Sequence, residues 1–375
     1  MVSPIYLIVI PLAVAFFISF FDRLGRGLSL TLFYAGLIAL TAISGSWLLS
    51  TVTGIIGAEG ALGGQLSQAA GTLVFTAGLE PPLSIALAMG PQEAFFLFFA
   101  NLAGLGAAVV LGRRMAAESV TAMVLFLMVM LGAQGLVMTL DLFNLFVFLE
   151  ISSIATYSLI ALERNRGSMS AGFKYIIAGG IASALFLIGT IYLYRIAGSL
   201  AIADIIAAQP AAAGMAGVTA VFLLTAALLI ELKPFPANGW ALDVYQSVQS
   251  GVVSVIAVVN SAAVLFALYK VFPMLPAPLT NALLWIGITT FFASNLIGLR
   301  QSSVKRMLGY SSSAQIGLLI SVLALSAMYG WSGRLQVIVF ASIFFGHIFS
   351  KAGLFWLTEV QEERGWKGWS GPRAA

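Results

Sequence analysis

Six ionisable side chains stand inside long apolar stretches of this 375-residue chain: Glu150, Lys174, Glu231, Lys233, His347 and Lys351. A charge at the centre of a lipid-embedded helix costs about 2.5–3.5 kcal/mol on insertion scales, so each needs a partner, a water-filled space or a use. Carboxylates, amines and an imidazole take up and release protons, and proton or charge movement is the chemistry this set offers. Glu150 lies in DLFNLFVFLEISSIATYSLIAL, about 13 Å along a helix from Asp141. Ser153, Ile154 and Tyr157 share its face as a partly polar stripe. The bland alternative is a carboxylic acid bonded to a neighbouring helix for packing. Lys174 opens AGFKYIIAGGIASALFLIG one turn from the end of its run, where snorkelling to the interface competes with burial. The GG and IASA that follow read as a close-packing face.

In LLIELKPFPANGWALDVYQ, Pro234 and Pro236 remove backbone donors and predict a break just after Glu231 and Lys233. A broken membrane helix survives only where it is buried in protein or lines water, so charge beside the break points to an ion pathway. An ordinary helix end with solvated charges is the alternative. Two residues apart, Glu231 and Lys233 must meet different neighbours. His347 and Lys351 stand at i and i+4 in FFGHIFSKAGLFWL, on one face, and with Ser350 could pass protons through bound water. Asp141, Asp243 and Asn260 are secondary candidates. The chain has no cysteine and one histidine, which excludes disulfides, thiolate metal sites, iron–sulfur clusters and bis-histidine haem. No nucleophile–base set can be assembled, so neither a catalytic centre nor a cofactor is expected. No basic face with interleaved aromatics exists, which argues against nucleic acid.

The elements that must position these groups follow from composition. Sixty per cent of residues are hydrophobic and 9% charged, against about 25% charged in soluble proteins, so the solvent is lipid. Eleven runs reach the roughly 20 apolar residues of a spanning helix: 4–21, 28–50, 92–112, 119–139, 142–162, 171–195, 216–233, 250–271, 279–299, 305–329 and 335–358. The Gly-rich stretch 51–91, with Glu59, Glu80 and Pro81-Pro82, reads as a loop, part of it a short hairpin. Arg23, Arg26, Arg113, Arg114, Arg164, Arg166, Arg300, Lys305, Arg306, Arg364, Lys367 and Arg373 fall on one side of such a bundle. Arg195, Lys270 and Arg334 fall on the other. The bias predicts an N-terminus outside and a C-terminus in the cytoplasm, in a cell inner membrane.

Five segments carry a resemblance. GLEPPLSIAL at 78–87, DLFNLFVFLE at 141–150, FKYIIAGGIASALFLIG at 173–189, LRQSSVKRMLGYSSSAQIG at 299–317 and GHIFSKAGLF at 346–355 occur in the order found in antiporter-like membrane subunits. The chain resembles the superfamily of complex I, Mrp antiporters and membrane-bound hydrogenases, and within it most resembles the D-type large subunits of Mrp antiporters. The resemblance implies an all-α polytopic fold with two inverted five-helix repeats, each with a broken helix, and buried lysines and glutamates that move protons or exchange them for sodium. It implies three N-terminal helices with the loop in 1–115, a first repeat in 116–272 broken near 233–240, a partial second repeat in 273–358 and a tail in 359–375. It further implies an electrostatic pair between Glu150 and a lysine of the broken helix, redox chemistry or a cation gradient elsewhere, and other membrane subunits as partners.

Three departures qualify the resemblance. Glu231 stands where the family has its seventh-helix lysine, with Lys233 two residues later. Asn238, Asn260 and Ser261 stand where titratable residues are usual. The chain ends after the eleventh helix, a truncated second repeat whose open side partner subunits are expected to cover. The expectation is an H⁺ or Na⁺ translocating subunit, with a non-conducting structural subunit as the alternative and an independent small-solute transporter as a third reading.

Overall fold

The computed structural model describes residues 2–21, 25–57, 72–76, 78–79, 84–117, 120–331 and 333–363. Glu59, Glu80, Pro81-Pro82, Arg23, Arg364, Lys367 and Arg373 lie outside the described residues, as do the side chains of Arg113, Arg114 and Arg334. The described chain is a helical bundle. Its helices are α1 (Tyr6–Phe21), α2 (Arg26–Gly57), α3 (Pro91–Val110), α4 (Gly112–Ala117), α5 (Val120–Met138), α6 (Leu142–Ala161), α7 (Arg166–Ala197) and α8 (Ile202–Ala207). They continue with α9 (Met215–Leu232), α10 (Gly239–Ser247), α11 (Ser250–Ser254), α12 (Ser261–Val271), α13 (Ala277–Gly298), α14 (Val304–Met328) and α15 (Gly333–Glu363). Ten segments are long and apolar enough to cross a membrane, and α1 is a shorter apolar helix of 16 residues. All eleven sequence runs are helical. The loop contributes an antiparallel hairpin of β1 (Thr72–Phe75) and β2 (Ala86–Met89).

The centre of the bundle is the segment Ser250–Met274, whose most apolar window is entirely buried. Between α11 and α12 it passes through a π-helical stretch, Val255–Asn260, the local widening that recurs at functional sites. Two helix pairs press against each other through glycine. A methyl at Gly287 of α13 would meet the Gly317 carbonyl of α14 at 2.6 Å, and one at Gly189 of α7 would meet the Ala220 carbonyl of α9 at 2.9 Å. Small residues let backbones approach this closely in lipid, where packing rather than water exclusion drives association.

Both ends of the bundle close by satisfying orphan helix groups. At the hairpin end, the 139–141 connector bonds β2 on one side (Leu140 N to Ala86 O, 2.9 Å) and residues 200–202 on the other (Ile202 N to Leu140 O, 2.9 Å). The Lys270 ammonium donates to the carbonyls of Leu136, Val137 and Thr139 at the C-terminus of α5, the pole that attracts a cation. Asp141 caps α6, accepting from Asn144 N at 2.7 Å. Burial raises its carboxyl above the ordinary value, against the lowering effect of the Asn144 and Phe143 N–H groups. At the opposite end, Glu163 and Glu359 accept from the Gln249 and Gly251 N–H groups that open α11, and Lys305 donates to Val248 O beyond α10.

Candidate functional site

The break falls where Pro234 and Pro236 forbid helix. α9 ends at Leu232, Lys233 takes a left-handed conformation (φ 58°), and the chain resumes helix at Gly239. This brings Glu231 and Lys233 into the interior, 2% and 3% exposed. The Glu231 carboxylate accepts from Ser153 of α6 at 3.3 Å and from the Tyr175 hydroxyl of α7 at 3.2 Å. Tyr175 is itself fully buried and stacked on Trp240 of α10, with centroids 4.5 Å apart. Lys233 turns the other way. It donates to Ser261 of α12 at 2.8 Å and lies 5.8 Å from the centre of the same Trp240 ring. Acid and amine thus meet different neighbours, with one aromatic stack between them.

Glu150 is half-buried, and its carboxylate accepts from Ser183 of α7. It forms no ion pair with Lys233: the α9 break turns Lys233 toward α12, while Glu150 looks to α7, so the coupling implied by the resemblance is not a contact. The GG and IASA segment is likewise more than a packing face. Ser183 belongs to it, and a methyl at Gly179 would stand 3.5 Å from the Glu231 carboxylate. Asn260 accepts from Ser152 at 2.9 Å, and its amide nitrogen, with Thr156 Oγ1 and Asn238 Nδ2, has no partner among the described residues. Buried polar atoms of this kind need donors and acceptors from somewhere.

On α15, His347 and Lys351 are both buried, at 0% and 3% exposure. Nδ1 of His347 lies 2.7 Å from Gln315 Oε1 of α14, and Nε2 lies 3.2 Å from the Ala257 carbonyl in the π-helical stretch. Lys351 donates to Ser311, one turn before Gln315 on α14, at 2.5 Å. Ser350 bonds back to the His347 carbonyl instead of extending the row. The π-helical stretch therefore faces both groups, because Ser261 at its end donates to Ile256 O while accepting from Lys233.

Lys174 and Asp243 stand apart from this interior. Lys174 has a 52% exposed side chain and pairs with Asp243 at 2.6 Å, while Arg306 holds the other carboxylate oxygen at 2.9 Å. Lys174 is thus not one of the buried groups; it sits on an outward face of α7 beside a rim ion cluster. Asp141 is a helix cap at the hairpin end. Sequence reading missed Tyr175, Ser183, Trp240, Ser311 and Gln315, which hold the ionisable groups, and took Ser261 only as a neutral replacement and Lys270 only as a marker of sidedness.

Comparison with known proteins accounts for the bundle. A family model described as NADH:quinone oxidoreductase/Mrp antiporter, TM matches residues 139–366. NADH-quinone oxidoreductase subunit N of Desulforudis audaxviator is 32% identical over 301 residues, 76% of this chain and 60% of that protein. The subunit N of Francisella tularensis is 35% identical over 207 residues, 52% of this chain and 42% of that protein. The chain thus spans three fifths or less of the length of these relatives. Among solved structures, a chain of the archaeal membrane-bound sulfane sulfur reductase superposes with a TM-score of 0.82 at 26% identity, over 94% of this chain and 70% of that one. A chain of the Mrp complex from Dietzia matches with a TM-score of 0.82 at 21% identity, over 96% and 65%, and shares the fold. The residues that surround the break, the π-helical stretch and the His347 face all fall inside the matched segment, and this multi-pass membrane protein belongs to the NADH:quinone oxidoreductase/Mrp antiporter transmembrane family.

Proposed function

We propose that the chain is an ion-translocating subunit of a multi-subunit membrane complex, moving H⁺ or exchanging it for Na⁺ through Glu150, Glu231, Lys233, His347 and Lys351. The observation that carries this reading is the burial of Glu231 and Lys233 at the end of α9, where the helix breaks inside the bundle. Buried charges at a broken membrane helix are expensive and are kept where ions pass. Glu150 and Ser183 lie on one flank of the acid, while Ser261 and the π-helical stretch lead from the amine toward His347. Proton movement along this row is driven by charge: a change of protonation at one group alters the cost of charge at the next. Lys174 and Asp243 serve at the rim, where their ion cluster ties α7, α10 and α14 together.

The same reading places the chain in a cell inner membrane with its C-terminus in the cytoplasm, beside the other membrane subunits of a respiratory or Mrp-type complex. It divides the chain into three N-terminal helices with their loop (1–115), a first repeat (116–272) and second-repeat helices (273–358). The neutral Asn238, Asn260 and Ser261 favour one competitor, a structural subunit that joins membrane modules without conducting. Ion uptake by vesicles holding the assembled complex separates the two. Glu150→Gln reduces pumping at least tenfold with assembly intact if the chain conducts; unchanged pumping with normal assembly leaves the structural role.

A further inference from the structure

His347 is the chain's only histidine. As it stands, both ring nitrogens face oxygen: Nδ1 is 2.7 Å from Gln315 Oε1 and Nε2 is 3.2 Å from the Ala257 carbonyl. A backbone carbonyl can only accept, so Nε2 carries a hydrogen in every state that keeps this contact. An amide oxygen can also only accept, so the geometry with Oε1 toward Nδ1 is the hydrogen-bonding pattern of an imidazolium. A neutral imidazole with its hydrogen on Nε2 offers a lone pair at Nδ1 and needs a donor there. Gln315 supplies one when its amide makes a half-turn and presents Nε2–H₂ in place of Oε1, with no movement of either helix.

We propose that Gln315 is a positioning residue that satisfies Nδ1 of the neutral His347 ring and turns its amide over when the ring is protonated. The proposal rests on the ion-translocation reading for its use, though not for its geometry. In the neutral state the Gln315 N–H donates to Nδ1 and the ring N–H at Nε2 donates to Ala257. One proton then joins Nδ1, the Gln315 N–H···Nδ1 bond breaks, and the new Nδ1–H donates to Gln315 Oε1. The Nε2–H bond to Ala257 stays in both states, and the ring gains one positive charge. The charged groups that face His347 are Lys351 on its own helix and Lys233 at the end of α9. An imidazolium there is a third cation beside two amines, so it is the passing state, and the neutral ring is the state restored once the proton moves on. Ser311 fixes the amine of Lys351 from the same helix face as Gln315, which leaves the Gln315 amide as the group on α14 that changes partner roles with the ring.

Because there is one histidine, the test needs no assignment. Nitrogen NMR of the full chain, labelled with ¹⁵N-histidine in lipid bilayers, reads the protonation of both ring nitrogens directly. At neutral pH the wild type shows a protonated Nε2 and an unprotonated Nδ1 as one species, and acidification converts it to a doubly protonated ring. Gln315→Met removes both the donor and the acceptor, so the Nε2–H tautomer held by the Ala257 carbonyl remains while the Nδ1 signal moves to that of a ring nitrogen with no donor beside it. Gln315→Glu keeps the shape but accepts only, so both nitrogens are protonated at a pH where the wild type carries one. A wild-type ring with its hydrogen on Nδ1 overturns the proposal whether or not any variant folds. So do variants whose nitrogen shifts equal the wild type's. If the spectra behave as expected while ion uptake ignores Glu150→Gln, the Gln315–His347 coupling stands and the translocation reading falls; the reverse outcome leaves translocation and removes this role of Gln315.

Discussion

The two buried groups of ionisable residues solve one problem in different ways. At the α9 break, an acid and an amine are present together, each held by side chains: Ser153 and Tyr175 for Glu231, Ser261 and Trp240 for Lys233. On α15 the helix is unbroken and both ionisable groups are bases, held by Gln315, Ser311 and a backbone carbonyl. The first region balances its own charge and pays in helix continuity. The second keeps its helix, and the buried acid of α15, Glu359, accepts from Gly251 N–H at the bundle's end instead of bonding either base, so the charge state of the two bases depends on what arrives. The π-helical stretch lies between them and touches both, through Ser261 and the Ala257 carbonyl.

Removing one member of each set tests this contrast most severely. Glu231→Leu leaves the buried Tyr175 and Ser153 hydroxyls without their acceptor, about 1–3 kcal/mol for each group, and removes the carboxylate that stands near the buried Lys233. Lys351→Met removes a buried cation that has no acid beside it and replaces it with an apolar chain of similar length. Its expected cost is below about 1 kcal/mol, or a slight gain. Thermal unfolding of both variants in one lipid environment reads the difference. Equal losses would mean that the two regions are not electrostatically distinct.

Much of this architecture was legible in the residues. The eleven apolar runs all became helices, since a run of that length has no alternative in lipid. The break at Pro234 and Pro236 followed from their missing donors, and the different neighbours of Glu231 and Lys233 followed from their spacing. The direction in which a helix face points was not legible. In lipid an apolar helix needs no polar stripe to mark its outside, so nothing in FKYIIAGG says that Lys174 faces out while Tyr175 faces Glu231. The residues that hold the charges were hidden for a related reason: serine, tyrosine and tryptophan recur in membrane helices and a neutral glutamine carries no charge to mark it, and only three-dimensional placement separates Ser183 or Gln315 from the rest.

A smaller effect compares the scaffolds under the two regions. Gly287 presses α13 onto α14, which carries Ser311 and Gln315, while Gly189 presses α7 onto α9, which ends at the break. A methyl at Gly287 meets Ser321 Oγ at 2.4 Å and the Gly317 carbonyl at 2.6 Å; at Gly189 the nearest atoms are backbone at 2.9 and 3.1 Å. Overpacking costs about 1–3 kcal/mol. Gly287→Ala is expected near the top of that range and Gly189→Ala near the bottom, measured as shifts in thermal unfolding. The reverse order would place the tighter scaffold under the acid–amine region instead.

The smallest effect is expected at the rim, and its size decides whether the interior groups are special at all. Asp243 ties Lys174 and Arg306 together, but its side chain is 31% exposed and those of its partners 52% and 27%. Ion pairs open to solvent contribute about 0–1 kcal/mol and are screened by salt. Asp243→Asn keeps an oxygen acceptor and the packing, so it should lower stability by less than about 1 kcal/mol, and the difference should shrink between low and high salt. Thermal unfolding at two ionic strengths measures both. A loss that matched Glu231→Leu and ignored salt would mean that the rim carboxylate is shielded from water as fully as the interior one. Burial would then no longer distinguish the acid at the break from the acid on α10, and the case for Glu231 would have to rest on the helix break alone.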